Sequence, residues 1–176
     1  QAIRSYRFWA MGTAIALCSA AITALLATFV PMLEDRGFSK GTAAWMAGSF
    51  GIAVVLGRVL VGGLIDRWWA PLVGFCFFLP AAISIALLAI VQLSLAATIA
   101  CIVLTGLAAG AEVDLLAYLV ARYFGQREFG RIYGGQYLFF ALGPGLLVPL
   151  FGVLRSATHG YQAPVLVSAA AVLGCG

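Results

Sequence analysis

Gly41-Thr-Ala-Ala-Trp-Met-Ala-Gly-Ser-Phe-Gly51-Ile-Ala-Val-Val-Leu-Gly-Arg58-Val-Leu-Val-Gly62-Gly-Leu-Ile65-Asp66-Arg67 is the stretch that decides the fold. From Gly41 to Ile65 the only charge is Arg58, and charge resumes at Asp66 and Arg67. A helix rising about 1.5 Å per residue crosses a hydrocarbon layer of about 30 Å in roughly 20 apolar residues. This run meets that length. A barrel strand needs only about 10 residues, with alternation of lipid-facing and lumen-facing side chains. The run is far longer, does not alternate, and is rich in Gly, Ala, Leu and Val, so a membrane helix is the expected state.

Similar runs flank it on both sides. Phe8–Val30 precedes it, too long for the apolar core of a secretory signal although Arg4 and Arg7 stand before it. Trp68–Ala111 carries no charge and is too long for one crossing, so a break is expected at Gln92 and Ser94, with helices at Pro71–Val91 and Leu95–Ala121. Ile132–Leu154 makes a fifth span, and Ala163–Gly176 begins a sixth that stops short. The expected fold is all-α: a polytopic membrane helix bundle of six transmembrane helices, the last truncated. The chain begins with Gln1 and ends within an apolar run, so it reads as a piece of a longer protein.

Composition agrees. Of 176 residues, 64% are hydrophobic and 9% charged, and the mean hydropathy is +1.08. A soluble domain is about 25% charged, and disorder needs low hydrophobicity with high charge. Both are excluded. The formal charge of +4 comes from ten Lys and Arg against six Asp and Glu. These basic residues stand singly between apolar runs and form no basic stripe interleaved with aromatics, so no nucleic-acid partner is expected. Cys18, Cys76, Cys101 and Cys175 lie in apolar runs without a CxxC spacing and read as buried small residues, so no metal or cofactor is expected.

Lysine and arginine set orientation. If the helices alternate, Arg4, Arg7, Arg67, Arg122, Arg127 and Arg131 fall on one side, and Arg36, Lys40 and Arg155 on the other. The richer side, with the N-terminus of this chain, is expected in the cytoplasm, and the membrane is expected to be a cell inner or plasma membrane crossed several times. Trp9, Trp68 and Trp69 at one interface and Trp45 at the other fit the aromatic belts. Tyr123–Tyr133 reads as a cytoplasmic loop. His159 reads as a solvated loop residue beside Arg155, Ser156 and Thr158.

Small residues let helix backbones approach closely in lipid. Gly48, Gly51, Gly62, Gly63, Gly106, Gly110, Gly134, Gly135, Gly143, Gly145 and Gly152 are expected to serve that purpose. The stretch Ala141-Leu-Gly-Pro-Gly145, with Pro149, is expected to weaken or kink the fifth helix.

Three charges lie at membrane depth. Arg58 stands eight residues before Asp66, so about 12 Å into the helix. A charge there costs of order 2.5–3.5 kcal/mol on insertion scales, so it is expected to face protein or a wet cavity. Gly51 and Gly62 share its face and leave room beside the guanidinium. Its planar fork suits a carboxylate. Otherwise it pairs with Glu112 or Asp114, and the two states can alternate in a cycle. Glu112 and Asp114 are two apart on a helix and point in nearly opposite directions, so only one faces a shared pocket. That one is a candidate for binding a proton, the other for an ion pair. Gln136, Tyr137 and Phe140 on the fifth helix are candidates to line the same cavity.

Gly57-Arg58-Val-Leu-Val-Gly62-Gly63-Leu-Ile-Asp66-Arg67 resembles the Gly-x-x-x-Asp-Arg loop motif of the major facilitator superfamily, with Gly62, Asp66 and Arg67 at the matching positions. The basic residues that follow in that family are replaced by Trp68, Trp69, Ala70 and Pro71. The acid can cap a helix N-terminus or pair across the loop, and the glycine can let two helices touch. Arg4-Ser-Tyr-Arg-Phe-Trp9, Pro31-Met-Leu-Glu-Asp-Arg-Gly37 in a first outer loop, Gly110-Ala-Glu-Val-Asp114, Ala121-Arg-Tyr-Phe-Gly125 and Phe129-Gly-Arg-Ile-Tyr-Gly134 extend the likeness over nearly the whole chain. They are similar to the C-terminal six-helix half of bacterial facilitators, in particular the monocarboxylate and oxalate–formate antiporter-like branch. The resemblance implies that residues 1–176 form that half of a twelve-helix fold, that an N-terminal six-helix half belongs with it, and that Arg58 occupies the place of a substrate-binding arginine.

The expected function is secondary transport of a small organic anion, a monocarboxylate, by alternating access around a midplane site. Arg58, Tyr137 and Gln136 would bind it, and Glu112 or Asp114 would take the proton or ion-pair role. The rival readings are a drug or sugar carrier using Glu112 or Asp114, and a membrane scaffold that transports nothing. One histidine and no clustered inward-facing nucleophile give no basis for an intramembrane enzyme.

Overall fold

The computed structural model describes residues 5–158 except 36 and 92. They form five helices: α1 (Tyr6–Asp35), α2 (Lys40–Ile65), α3 (Ala70–Ile90), α4 (Leu95–Phe124) and α5 (Phe129–Thr158). No strand occurs among the described residues. Four stretches are long and apolar enough to cross a membrane: Tyr6–Ala27, Lys40–Ile65, Ala70–Leu88 and Leu95–Phe124. α5 occupies the segment expected for a fifth span. The expected sixth span at Ala163–Gly176, His159 and Cys175 lie outside the described residues.

Local chemistry explains the helix ends. Ser94, where a break was expected, is the N-cap of α4, and its hydroxyl accepts from the Ala97 amide at 3.4 Å. Ser39 caps α2 in the same way through the Thr42 amide at 3.2 Å. Each satisfies an amide that the first turn leaves without a helical partner. Gly37 and Gly125 end α1 and α4 at φ +87° and +77°, a left-handed backbone that a Cβ would strain.

Several boundaries move outward. Glu34 and Asp35 belong to the last turn of α1 instead of an outer loop. Tyr123 and Phe124 finish α4, and Phe129–Tyr133 opens α5, so the expected Tyr123–Tyr133 loop shrinks to residues 125–128. Arg155, Ser156 and Thr158 are helical as well. The reason is length. A 30-residue helix such as α4 is about 45 Å long, against about 30 Å of hydrocarbon. Helices therefore continue into the headgroup zone, where charges are tolerated. α5 stays helical through both Pro144 and Pro149.

α4 is the hub. It packs on α2 and α3, and more lightly on α1 and α5. The central core joins Leu25, Val61, Val73, Ile85, Ala108 and Ala111 from the first four helices. A second cluster, with Leu33, Met46, Leu88 and Ile102, fills one end of the bundle, and a third, with Phe8, Leu116, Val120 and Ile132, seats α5.

Glycine divides into two sets. Gly57, Gly106 and Gly110 form the α2–α4 seam: a Cβ on Gly110 would collide with the Val54 carbonyl, one on Gly57 with the Leu107 backbone, and one on Gly106 would lie 2.7 Å from the Ala53 Cβ. Gly143 meets the Ala16 backbone in the same way, and joins α5 to α1. Lipid gives apolar side chains no reason to leave it, so close backbone approach and dispersion must hold these helices together. Gly48, Gly51, Gly62, Gly63, Gly134 and Gly145 face open space instead, contrary to the expected packing role. The helix contact expected of Gly62 is made by Gly57, five residues earlier.

Candidate functional site

The α2–α4 seam fixes the site. Gly57 is buried against α4, and each residue turns about 100° around a helix, so Arg58 emerges beside the seam. It is exposed and forms no salt bridge among the described residues, where Arg131–Glu128 at 3.3 Å is an exposed pair at the start of α5. Gly51 and Gly62, above and below it, leave the space open. The outward flank of α2 next to it is bulky. Ile52, Leu56 and Val59 are exposed there, Val59 at 70%, as suits a surface against acyl chains.

The two acids on α4 part company. A Cβ on Gly110 would lie 3.1 Å from the Arg58 amide nitrogen, and Asp114 is one helical turn further along the same face. Asp114 is half-buried. Glu112 points elsewhere: it is 3% exposed and lines a cavity of about 120 Å³ with Met11, Ile15, Cys18, Phe78 and Leu115, between α1, α3 and α4. The geometry therefore answers which acid shares Arg58's side of the bundle.

α5 contributes a row of rings. Phe129 stacks on Tyr133 at 5.3 Å between centroids, Tyr133 lies 6.0 Å from Tyr137, and Tyr137 stacks on Phe140 at 5.2 Å. Spacings of four, four and three residues place all four on one helical stripe. Tyr133 lies within Coulombic reach of Tyr137, Asp114 and Arg58. Tyr133 thus comes near both charges, and Tyr137, next along the stripe, is 46% exposed. Tyr133 was missed in the sequence because its segment read as a loop. The four-residue spacing of Phe129, Tyr133 and Tyr137 was the available signal.

Gln136 does not join this face. It is 0% exposed, and its amide donates to the Phe8 carbonyl at 2.8 Å, which ties α5 to α1. Adjacent residues on a helix diverge by about 100°, so Gln136 and Tyr137 cannot line the same surface. The loop motif is also differently used. Asp66 is the C-cap of α2, while α3 starts at Trp69 without a side-chain cap. Among the described residues, neither Asp66 nor Arg67 has a side-chain partner. The expected cap or cross-loop pair is not formed.

Cys18 and Cys101 are buried thiols and Cys76 is an exposed one, none of the three in a disulfide. The described residues hold no cluster of metal-ligating side chains. Among the described residues the face carries one guanidinium, one carboxylate and a strip of aromatic surface, groups suited to holding a small charged molecule.

No curated protein matches the chain. The family model of the Major Facilitator Superfamily matches residues 11–176, which takes in all of α2 to α5 and most of α1. The helices spanning a bilayer, the seam that leaves a charge at membrane depth, and this match lead to one conclusion: the chain belongs to the Major Facilitator Superfamily and is part of a multi-pass membrane transporter.

Proposed function

We propose that this chain is the C-terminal six-helix half of a secondary transporter that carries a small organic anion, with a monocarboxylate as the simplest case. Arg58 is the anion-binding residue, with Tyr137 as a second contact for the substrate. The reading is carried by one observation: a guanidinium about two helical turns from the end of α2, open to the surroundings and without a salt bridge among the described residues. A cation at that depth needs a counter-charge or water, and a carboxylate matches its fork. Asp114 supplies the nearest balancing charge when the site is empty. Glu112, on the far side of α4, is the residue for a proton or a buried ion pair. The open face of α2 turns toward an N-terminal half, and rocking of the two halves about the site exposes it to each side in turn. The excess of Lys and Arg on one side supports an N-terminus of this chain in the cytoplasm.

The test uses the full-length protein in proteoliposomes with labelled lactate as probe. Arg58→Lys keeps the charge and loses the planar fork, so uptake should fall about tenfold or more. Uptake equal to that of the parent would overturn the assignment.

A further inference from the structure

The face carries two opposite charges. Arg58 and Asp114 both lie within Coulombic reach of Tyr133, yet they do not pair with each other among the described residues. The α2–α4 backbone contact sets their spacing: Gly110 abuts the Arg58 amide, and Asp114 follows one turn later. Both are carried by the most closely packed pair of helices among the described residues, which fixes the spacing of their backbones. A row of rings starts beside both charges at Tyr133, which lies tilted against Tyr137, and Tyr137 stacks on Phe140.

We infer that the ligand of this face is dipolar: a zwitterion with a carboxylate for Arg58, a cationic nitrogen for Asp114, and a flat or apolar body that lies on the ring stripe. The inference rests on the anion-binding reading and narrows it. Charge balance is the reason. Arg58 and Asp114 sum to zero. A simple monoanion would satisfy the guanidinium, leave the complex with a net negative charge inside the membrane, and sit close to a carboxylate that repels it. A zwitterion answers each charge and leaves the sum at zero. The tyrosine faces also attract a cationic nitrogen through their quadrupoles, and the row of rings gives a flat body a surface to stack on.

The experiment measures equilibrium binding to the purified full-length protein at neutral pH with three probes of one skeleton. These are L-phenylalanine with both charges, 3-phenylpropionate with the carboxylate alone, and 2-phenylethylamine with the ammonium alone. Phenylalanine should bind at least about tenfold more tightly than either, because each analogue leaves one of the two charges unanswered. Asp114→Asn should cost phenylalanine about tenfold and leave 3-phenylpropionate as good or better, which closes the gap. Arg58→Gln should weaken both carboxylates and spare the amine. If Asp114→Asn does not fold, the ranking on the parent protein decides alone. Equal binding of phenylalanine and 3-phenylpropionate would overturn the dipolar site and leave the anion reading intact. A 3-phenylpropionate affinity that rises to match only in acid would also overturn it, by assigning Asp114 a proton in place of a cationic nitrogen. Tightest binding of the amine would overturn both readings. Binding of none of the three would overturn the dipolar inference, and the lactate uptake test would then judge the anion reading by itself.

Discussion

Gln136 shows how one buried amide separates structure from function. Its side chain is fully enclosed and donates to the Phe8 carbonyl across the α1–α5 contact, while its Oε1 is buried and accepts no hydrogen bond among the described residues. Gln136→Leu removes the hydrogen bond that joins α5 to α1, a net loss of about 0.5–1.5 kcal/mol. The expected result is a lower melting temperature in detergent with probe ranking unchanged. Tyr137→Ala, on the neighbouring but exposed position, should do the reverse: little change in melting and weaker binding of the aromatic probes. A common effect of both substitutions on binding would place Gln136 back in the site. Arg58 and Asp114 are legible in the sequence as charges too deep to be idle. That Asp114 and not Glu112 accompanies Arg58 is not, because two residues on one helix are told apart only by what packs against each side.

Among the elements, the α2–α4 pair bears the most weight. Three glycines bring its backbones together, and Gly110→Leu would drive a side chain into the Val54 carbonyl. Loss of folded full-length protein in membranes is expected, as seen by size-exclusion of the solubilised material, whereas Gly134→Leu, whose Cβ would meet open space, should be tolerated for folding. Equal yields for the two would refute the seam. Glycine content is visible in the sequence, but the partition into seam glycines and open glycines is not. Gly57 and Gly62 both stand in the stretch that resembles the superfamily loop motif, and the structure gives the helix contact to the first alone.

On the scale of the whole molecule, the two outward faces of α2 should see different surroundings. In a background without Cys18, Cys76, Cys101 and Cys175, a cysteine introduced as Gly62→Cys or Gly51→Cys should react with a charged, membrane-impermeant maleimide and be protected by substrate. Leu56→Cys, exposed on the far flank of α2, should react slowly and without protection. Labelling of Leu56→Cys at the rate of Gly62→Cys would mean that the open face is not a water-accessible path. The sequence by itself determined that the chain is a set of membrane-crossing helices with three charges out of place, because hydropathy and length act residue by residue and need no neighbours. Only the tertiary structure decided which of those charges share a surface and which glycines close the seam. It also brought Tyr133 of α5 near the charges and buried Gln136 against α1. Those facts depend on the rotation of each helix about its own axis, which is set by the backbone contacts between helices and is written in no single segment.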